Sequence, residues 1–368
     1  MAKEKILLKN EFFNKETVSV LSSVIKDIYE PFKEDEFISD IISEFSNLEL
    51  MGRIHWITEM LTKYLPDSYT DSVNILYKSL SNISDEGMFV FSSYPDFVAL
   101  NGCSEDNLKL SLKMLGEFTK MFSAEFAIRG FINMFPNETY LKMLEWSYSK
   151  DVHQRRLASE GLRPKLPWAK GISFDINRGI LPLDNLFYDS ERYVTRSVAN
   201  HLNDISKINP LLVLDKLEKW RKSRKQNEKE MSYIISHSLR TLVKKGHKET
   251  LEFLGYSSSP KVIVKDLIID NENIKIGDSI LFRFTIEALK DESLIIDYIV
   301  TYPKANNKKS TKVFKIKKVD INKGDKLEVI KKHAFRVMTT KKLYDGEYSI
   351  RIQINGVEFE FAKFYITV

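Results

Sequence analysis

The chain has 368 residues, 43% hydrophobic and 29% charged, with a single cysteine, Cys103. That length suits two domains with sizeable cores, and one cysteine excludes an internal disulfide or a cysteine-rich zinc site. The net charge of +5 divides unevenly. Residues 1–122 carry 12 Lys+Arg against 20 Asp+Glu, residues 123–260 carry 23 against 16, and residues 261–368 carry 21 against 15. A polyanion would therefore be drawn to the middle and last thirds. Lysines that merely solvate the surface are an equal alternative for the last third, and a poorer one for the middle, where arginines cluster beside a tryptophan.

The opening, Met1 to Asn10, holds no apolar run of signal-peptide length. No stretch reaches the roughly 18 apolar residues of a membrane span, so a cytoplasmic protein without membrane contact is expected. Residues 1–256 read as helices: apolar residues recur at three and four in Val18–Ile28, Ile54–Leu65, Leu108–Phe122 and Leu211–Trp220. Pro136, Pro164, Pro167, Pro182 and Pro210 fall between such segments. Leu162, Leu202 and Leu242 are spaced by forty, as are Arg156 and Arg196, and Tyr193 and Tyr233. That period is one antiparallel helix pair of a HEAT-type solenoid, whose concave face forms a binding groove.

The pattern changes at Gly255–Pro260. Alternating β-rich runs follow at Val262–Val264, Ser279–Ile286, Ile295–Tyr302, Lys312–Lys317, Tyr348–Ile354 and Phe359–Val368. Turn signals punctuate them at Ile276–Asp278, Lys323–Asp325, Asp345–Gly346 and Asn355–Gly356. An immunoglobulin-like β-sandwich over 261–368 is expected, with basic loop tips at Lys304–Lys312 and Lys331–His333. The fold class is thus multidomain α + β, an all-α HEAT-like repeat solenoid over 1–256 followed by the sandwich.

The sequence contains no GxxxxGK[ST] phosphate loop, no HExxH and no GxSxG elbow, and its six histidines lack metal-ligand spacing. No metal and no cofactor are expected, and Cys103, outside any basic cluster, reads as a neutral thiol. Any chemistry would rest on carboxylates and positioning.

Three stretches carry that possibility: Ser123–Arg129 (SAEFAIR), His153–Lys170 (HQRRLASEGLRPKLPWAK) and Tyr193–Lys207 (YVTRSVANHLNDISK). They resemble the AlkC-type DNA glycosylases, HEAT-like-repeat alkylpurine glycosylases related to AlkD. The resemblance runs from near Leu8 to about residue 255, and members of that family often end in an immunoglobulin-like domain. It implies excision of cationic N-methylated bases, 3-methyladenine and 3-methylcytosine, without base flipping. By the same resemblance Glu125, Glu160 and Trp168 fall in the catalytic pocket, and the sandwich loops would clamp the duplex.

The residues fit that chemistry. A 3-methylated adenine is already cationic, so the base leaves neutral, and a carboxylate can stabilise the oxocarbenium-like sugar or orient water. Glu125 and Glu160 take those two roles in either order, Asp204 is a further candidate, and monofunctional hydrolysis follows because no lysine nucleophile is implied. Glu125 four before Arg129 and Glu160 four after Arg156 also fit ordinary helical ion pairs, and Trp168 also fits a packing anchor. For DNA contacts the candidates are Arg129, Arg155, Arg156, Arg163, Lys165, Lys170, Arg192, Arg196, Asn200, Asn203 and Lys207, of which about half should touch phosphate. The expected partner is double-stranded DNA with alkylated bases, bound by a monomer. Two other classes remain, a non-catalytic HEAT-repeat DNA-structure-binding protein and a protein-binding scaffold.

Overall fold

The computed structural model describes residues 7–83, 88–305, 308–336 and 342–367. Met1–Ile6 of the opening segment, Asn306–Asn307 of the predicted basic tip and Val368 lie outside the described residues. Two compact units divide the chain. One comprises Met1–Ile205 with Glu218–Ser238, the other Ser206–Leu217 with Leu239–Val368. Among the described residues no helix is long and apolar enough to cross a membrane.

The first unit stacks short helices as HEAT-like repeats. Hydrogen bonds between residues 38 to 41 positions apart link neighbouring repeats: His55–Asp96, Asn185–Ser147 and Arg163–Asp204 between side chains, and the Gln154 amide to the carbonyl of Gly116. Pro136 and Pro210 each open a helix, Pro136–Trp146 and Pro210–Ser223, and Pro182 is second in Leu181–Leu186. The N–H that proline lacks has no intrahelical partner in a first turn, so proline starts these helices at no loss. Asp151 caps Val152–Glu160 by accepting from the N–H groups of His153 and Gln154. The helix predicted over Leu108–Phe122 stops at Phe118. The Thr119 hydroxyl there accepts the N–H of Ala124, turning the chain into a loop that carries Ser123 and Glu125.

Among the described residues eight strands build the second unit's sandwich: β1 Val262–Ile269, β2 Asn273–Lys275, β3 Ser279–Ala288, β4 Glu292–Pro303, β5 Lys309–Ile321, β6 Lys326–Ala334, β7 Gly346–Ile354 and β8 Val357–Thr367. They form a β1-β3-β6 sheet and a β2-β8-β7-β4-β5 sheet. Phe282, Phe284, Tyr298, Ile350, Ile352 and Phe364 fill the space between the sheets. The Tyr348 hydroxyl donates to the carbonyl of Tyr344 at 2.8 Å, a tie of the tyrosine-corner kind.

Two expectations fail here. Lys331–His333 is not a loop but part of β6, with His333 buried against Tyr298, 2.8 Å between Nδ1 and Oη. Lys309–Lys312 of the other predicted tip lies within β5. Lys332 of β6 and Lys309 and Lys312 of β5 are exposed on edge strands, where charge guards against pairing with other chains.

The β7–β8 hairpin turns on Asn355 and Gly356, both at positive φ (47° and 78°), the geometry of a type I′ turn. A Cβ on Gly356 would lie 2.1 Å from the Cα of Gly246, itself at φ 67°, so the backbones of the hairpin and the helical segment before the sandwich touch directly. Gly356→Ala should therefore cost at least about 2 kcal/mol and lower the thermal midpoint of the full chain by several degrees. Gly171→Ala, where nothing lies within 4 Å, should leave that midpoint in place; calorimetry of the two variants checks the pair.

Candidate active site

Pro164 and Pro167 keep residues 161–175 out of a regular helix, and Trp168 sits there at φ 62°. A bulky residue in the left-handed region is strained, and strain of this kind clusters at functional sites. The indole is also 86% exposed, which disposes of the packing-anchor reading. Trp168 lines a cleft of about 310 Å³ in the first unit. The same cleft is lined by Glu125 and Ser123 from the 119–127 loop, Arg156 from Val152–Glu160, Tyr193 from Arg192–Ile205, and Asp96.

A chain of ion pairs runs inward from this cleft. Arg156 pairs with Glu125, which also accepts from the Ser123 hydroxyl at 2.8 Å. Arg156 lies 3.7 Å from Glu160 and over the Tyr193 ring at 5.3 Å. Glu160, only 4% exposed, is held further by Arg163 and by the Ser197 hydroxyl at 2.5 Å. Arg163 then reaches Asp204 through Nε at 2.9 Å and Nη2 at 2.8 Å. Burial by itself would raise the Glu160 carboxyl. The charges of Arg156 and Arg163, with the Ser197 hydrogen bond, outweigh it and hold the group below its ordinary value.

Residues 263–368 match the family described as "Uncharacterised protein YhaZ, C-terminal Ig-like domain". The Uncharacterized protein YhaZ of Bacillus subtilis (strain 168) is 33% identical over 356 residues, 94% of this chain and 96% of that protein. The alkylpurine DNA glycosylase AlkC of Pseudomonas fluorescens, solved bound to DNA containing an abasic site analog, superposes with a TM-score of 0.90. It is 32% identical, over 99% of this chain and 100% of that one. The chain belongs to the AlkC family of alkylpurine DNA glycosylases.

In this AlkC-family chain the residues singled out by sequence separate into groups. Glu125, Arg156 and Trp168 share the cleft, while Glu160, Arg163 and Asp204 form the buried continuation. Glu125 pairs with Arg156, and no pair with Arg129 occurs among the described residues. Arg129 is 1% exposed and donates to the carbonyls of Lys170 at 2.5 Å, Gly161 at 3.2 Å and Arg163 at 2.9 Å, bracing the loop that carries Trp168. Arg155 is tied to Asp189, and Arg192 to Glu230 and the Tyr233 ring. Asn203 is buried, and Asn200 hydrogen-bonds His237 at 2.9 Å. Lys165, Lys170, Arg196 and Lys207 are exposed. Sequence reasoning missed Asp96, its partner His55 (Nδ1 to Oδ2 2.7 Å) and the apolar cleft wall. The 41-residue offset of that pair matches the repeat, but only the helix register reveals it.

Behind the ion-pair chain His201 is 1% exposed, its imidazole pushed down to about 4 by burial first and by Arg163 next. The unfolded chain takes up this proton near 6.5 and the folded chain only near 4. Stability contributed by neutral His201 is thus complete above pH 6.5 and is lost progressively toward pH 4, up to about 3 kcal/mol. His201→Gln should flatten the fall of the thermal midpoint between pH 7 and 4.5; a fall as steep as in the parent chain would reject the assignment.

Proposed function

We propose that the chain is a monofunctional glycosylase that removes cationic N-methylated bases, 3-methyladenine and 3-methylcytosine, from duplex DNA without flipping them. The observation that carries this reading is the Glu125–Arg156–Glu160 chain, with its outermost carboxylate lining a cleft beside an exposed, strained tryptophan. The relative from Pseudomonas fluorescens, solved with DNA that contains an abasic site analog, supports DNA as the substrate.

In the proposed reaction the electron pair of the glycosidic bond passes to the ring nitrogen of the methylated base, which leaves neutral, while positive charge develops on the sugar. Glu125 lines the cleft and is the carboxylate that meets this charge and orients the water that adds to the sugar carbon. Glu160, buried behind it, is the positioning residue, keeping Arg156 and through it Glu125 in place. Asp204 does the same for Arg163 one step further in. Trp168 presses on the lesion nucleotide. A cationic base needs no acid to leave, so only the sugar edge must reach the carboxylate, and the base can stay in the stack. No lysine lines the cleft among the described residues, which favours hydrolysis over a lysine adduct and strand cleavage.

Phosphate contacts in this reading fall to the exposed Lys165, Lys170, Arg196 and Lys207, whereas Arg129, Arg155 and Arg163 serve the fold. The partner is alkylated double-stranded DNA, met by a monomer in the cytoplasm. Glu125→Gln should slow single-turnover release of 3-methyladenine about 10²–10³-fold with DNA affinity retained. Base release from alkylated duplex, read by mass spectrometry, tests this; DNA binding without any release would favour the non-catalytic DNA-binding alternative. Lys165→Ala and Lys170→Ala should each reduce the log–log salt slope of duplex binding by about 0.9, measured by titration across a salt series.

A further inference from the structure

The cleft holds more than the reaction above uses. Its carboxylates, Glu125 and Asp96, come from the 119–127 loop and the helix Ser93–Asn101, and Asp96 is fixed by its 2.7 Å contact with His55. Arg156, Ser123 and Tyr193 complete its polar side, and the opposing wall is apolar: Leu50, Met51 and Ile54 from the start of the helix Leu50–Tyr64, together with Phe89, Phe122 and Phe126. Phe89 is locked in place by stacking on Phe12 at 4.4 Å and by an edge contact with Phe122 at 4.6 Å. The apolar wall is thus preformed. At about 310 Å³ the cleft falls at the lower end of the roughly 300–1,000 Å³ typical of small-ligand pockets, which a flat bicyclic base fits.

We propose that this apolar cleft is a product site that takes up the excised, neutral methylated purine as it leaves the DNA. The inference rests on the glycosylase reading above and names where the base goes. Its argument is one of charge. Before the bond breaks the base is a cation, which an apolar wall disfavours and the carboxylates favour. After the bond breaks the positive charge is on the sugar and the base is a neutral aromatic heterocycle. Transfer of that ring from water to aromatic and aliphatic walls is then favourable, and faces stack against phenyl rings. The carboxylate of Glu125 keeps the sugar cation at the polar side while the apolar wall draws the base away from it. Recombination of base and sugar is thereby discouraged before water adds.

The test is calorimetric titration of free 3-methyladenine into the DNA-free full-length protein, alongside an excision assay with the free base added as inhibitor. One saturable site per chain and inhibition by the free base are expected. Met51→Trp, which fills the cleft, should weaken that binding at least tenfold. Leu50→Asn, which makes the wall polar without adding bulk, should do the same with the fold intact by circular dichroism. Undiminished binding in both variants overturns the inference alone. So does a lack of binding by wild-type protein that does release base from alkylated DNA. Failure of the wild-type protein to release any base overturns the proposed function and this inference with it.

Discussion

Glu160 is a carboxylate taken out of water, and it stays charged because Arg156 and Arg163 meet it from two sides while Ser197 donates to its second oxygen. Most of the site depends on that arrangement. Arg156 holds Glu125 at the cleft, and Arg163 holds Asp204 in the next repeat. Three carboxylates alternate with two guanidiniums, so the chain of charges is negative in sum, and its outermost carboxylate, Glu125, lines the cleft beside Arg156. Removing one partner from such a buried series leaves an uncompensated charge, a far larger penalty than the loss of a surface ion pair. The same penalty keeps the geometry single-valued. Preorganised charge of this kind is what stabilisation of a developing cation requires, because nothing has to move when the cation forms.

The repeat architecture explains how these residues come together. Contacts between successive repeats, 38 to 41 residues apart, stack the helices, and His55–Asp96 and Arg163–Asp204 at the site are contacts of that kind with charged partners. Ser197 reaches Ser159 across that spacing and Glu160 beside it, and Arg129 reaches the carbonyl of Lys170. Arg129 does more than span two repeats. Its buried guanidinium satisfies several backbone carbonyls of a loop that two prolines keep irregular, carbonyls that would otherwise lack partners away from water. That loop can then present Trp168 in a backbone conformation which tryptophan seldom adopts. The neighbouring repeats thus hold in place both the strain and the buried charge, and neither would persist in an isolated helix pair.

Much of the fold was legible. The forty-residue spacing of Leu162, Leu202 and Leu242 marks residues that are all buried, at 2%, 0% and 3% exposure. The alternation after residue 260 became strands in one compact unit with the short helices before it. The strands that escaped notice did so for physical reasons. β2 has only three residues. β6 reads as a basic loop because Lys331 and Lys332 interrupt its apolar alternation, yet it sits at a sheet edge, where lysine is at home.

The candidate site was legible in kind but not in detail. Resemblance of three short stretches to the AlkC-type glycosylases singled out Glu125, Glu160 and Trp168, with Asp204 as a further candidate, while residue type alone offered Arg156 and Arg163 only as DNA contacts. The sequence by itself therefore determined the repeat, the sandwich and the short list of charged residues. Which arginines turn inward was decided only by tertiary structure. Arg129 and Arg163 look, in sequence, like any surface arginine, and their burial follows from carbonyls and carboxylates supplied by residues far along the chain. The apolar cleft wall was decided the same way, because Met51, Phe89 and Phe122 are ordinary core residues until packing leaves a gap between them. A side chain's type and periodicity are local properties, whereas its partner is set by long-range packing.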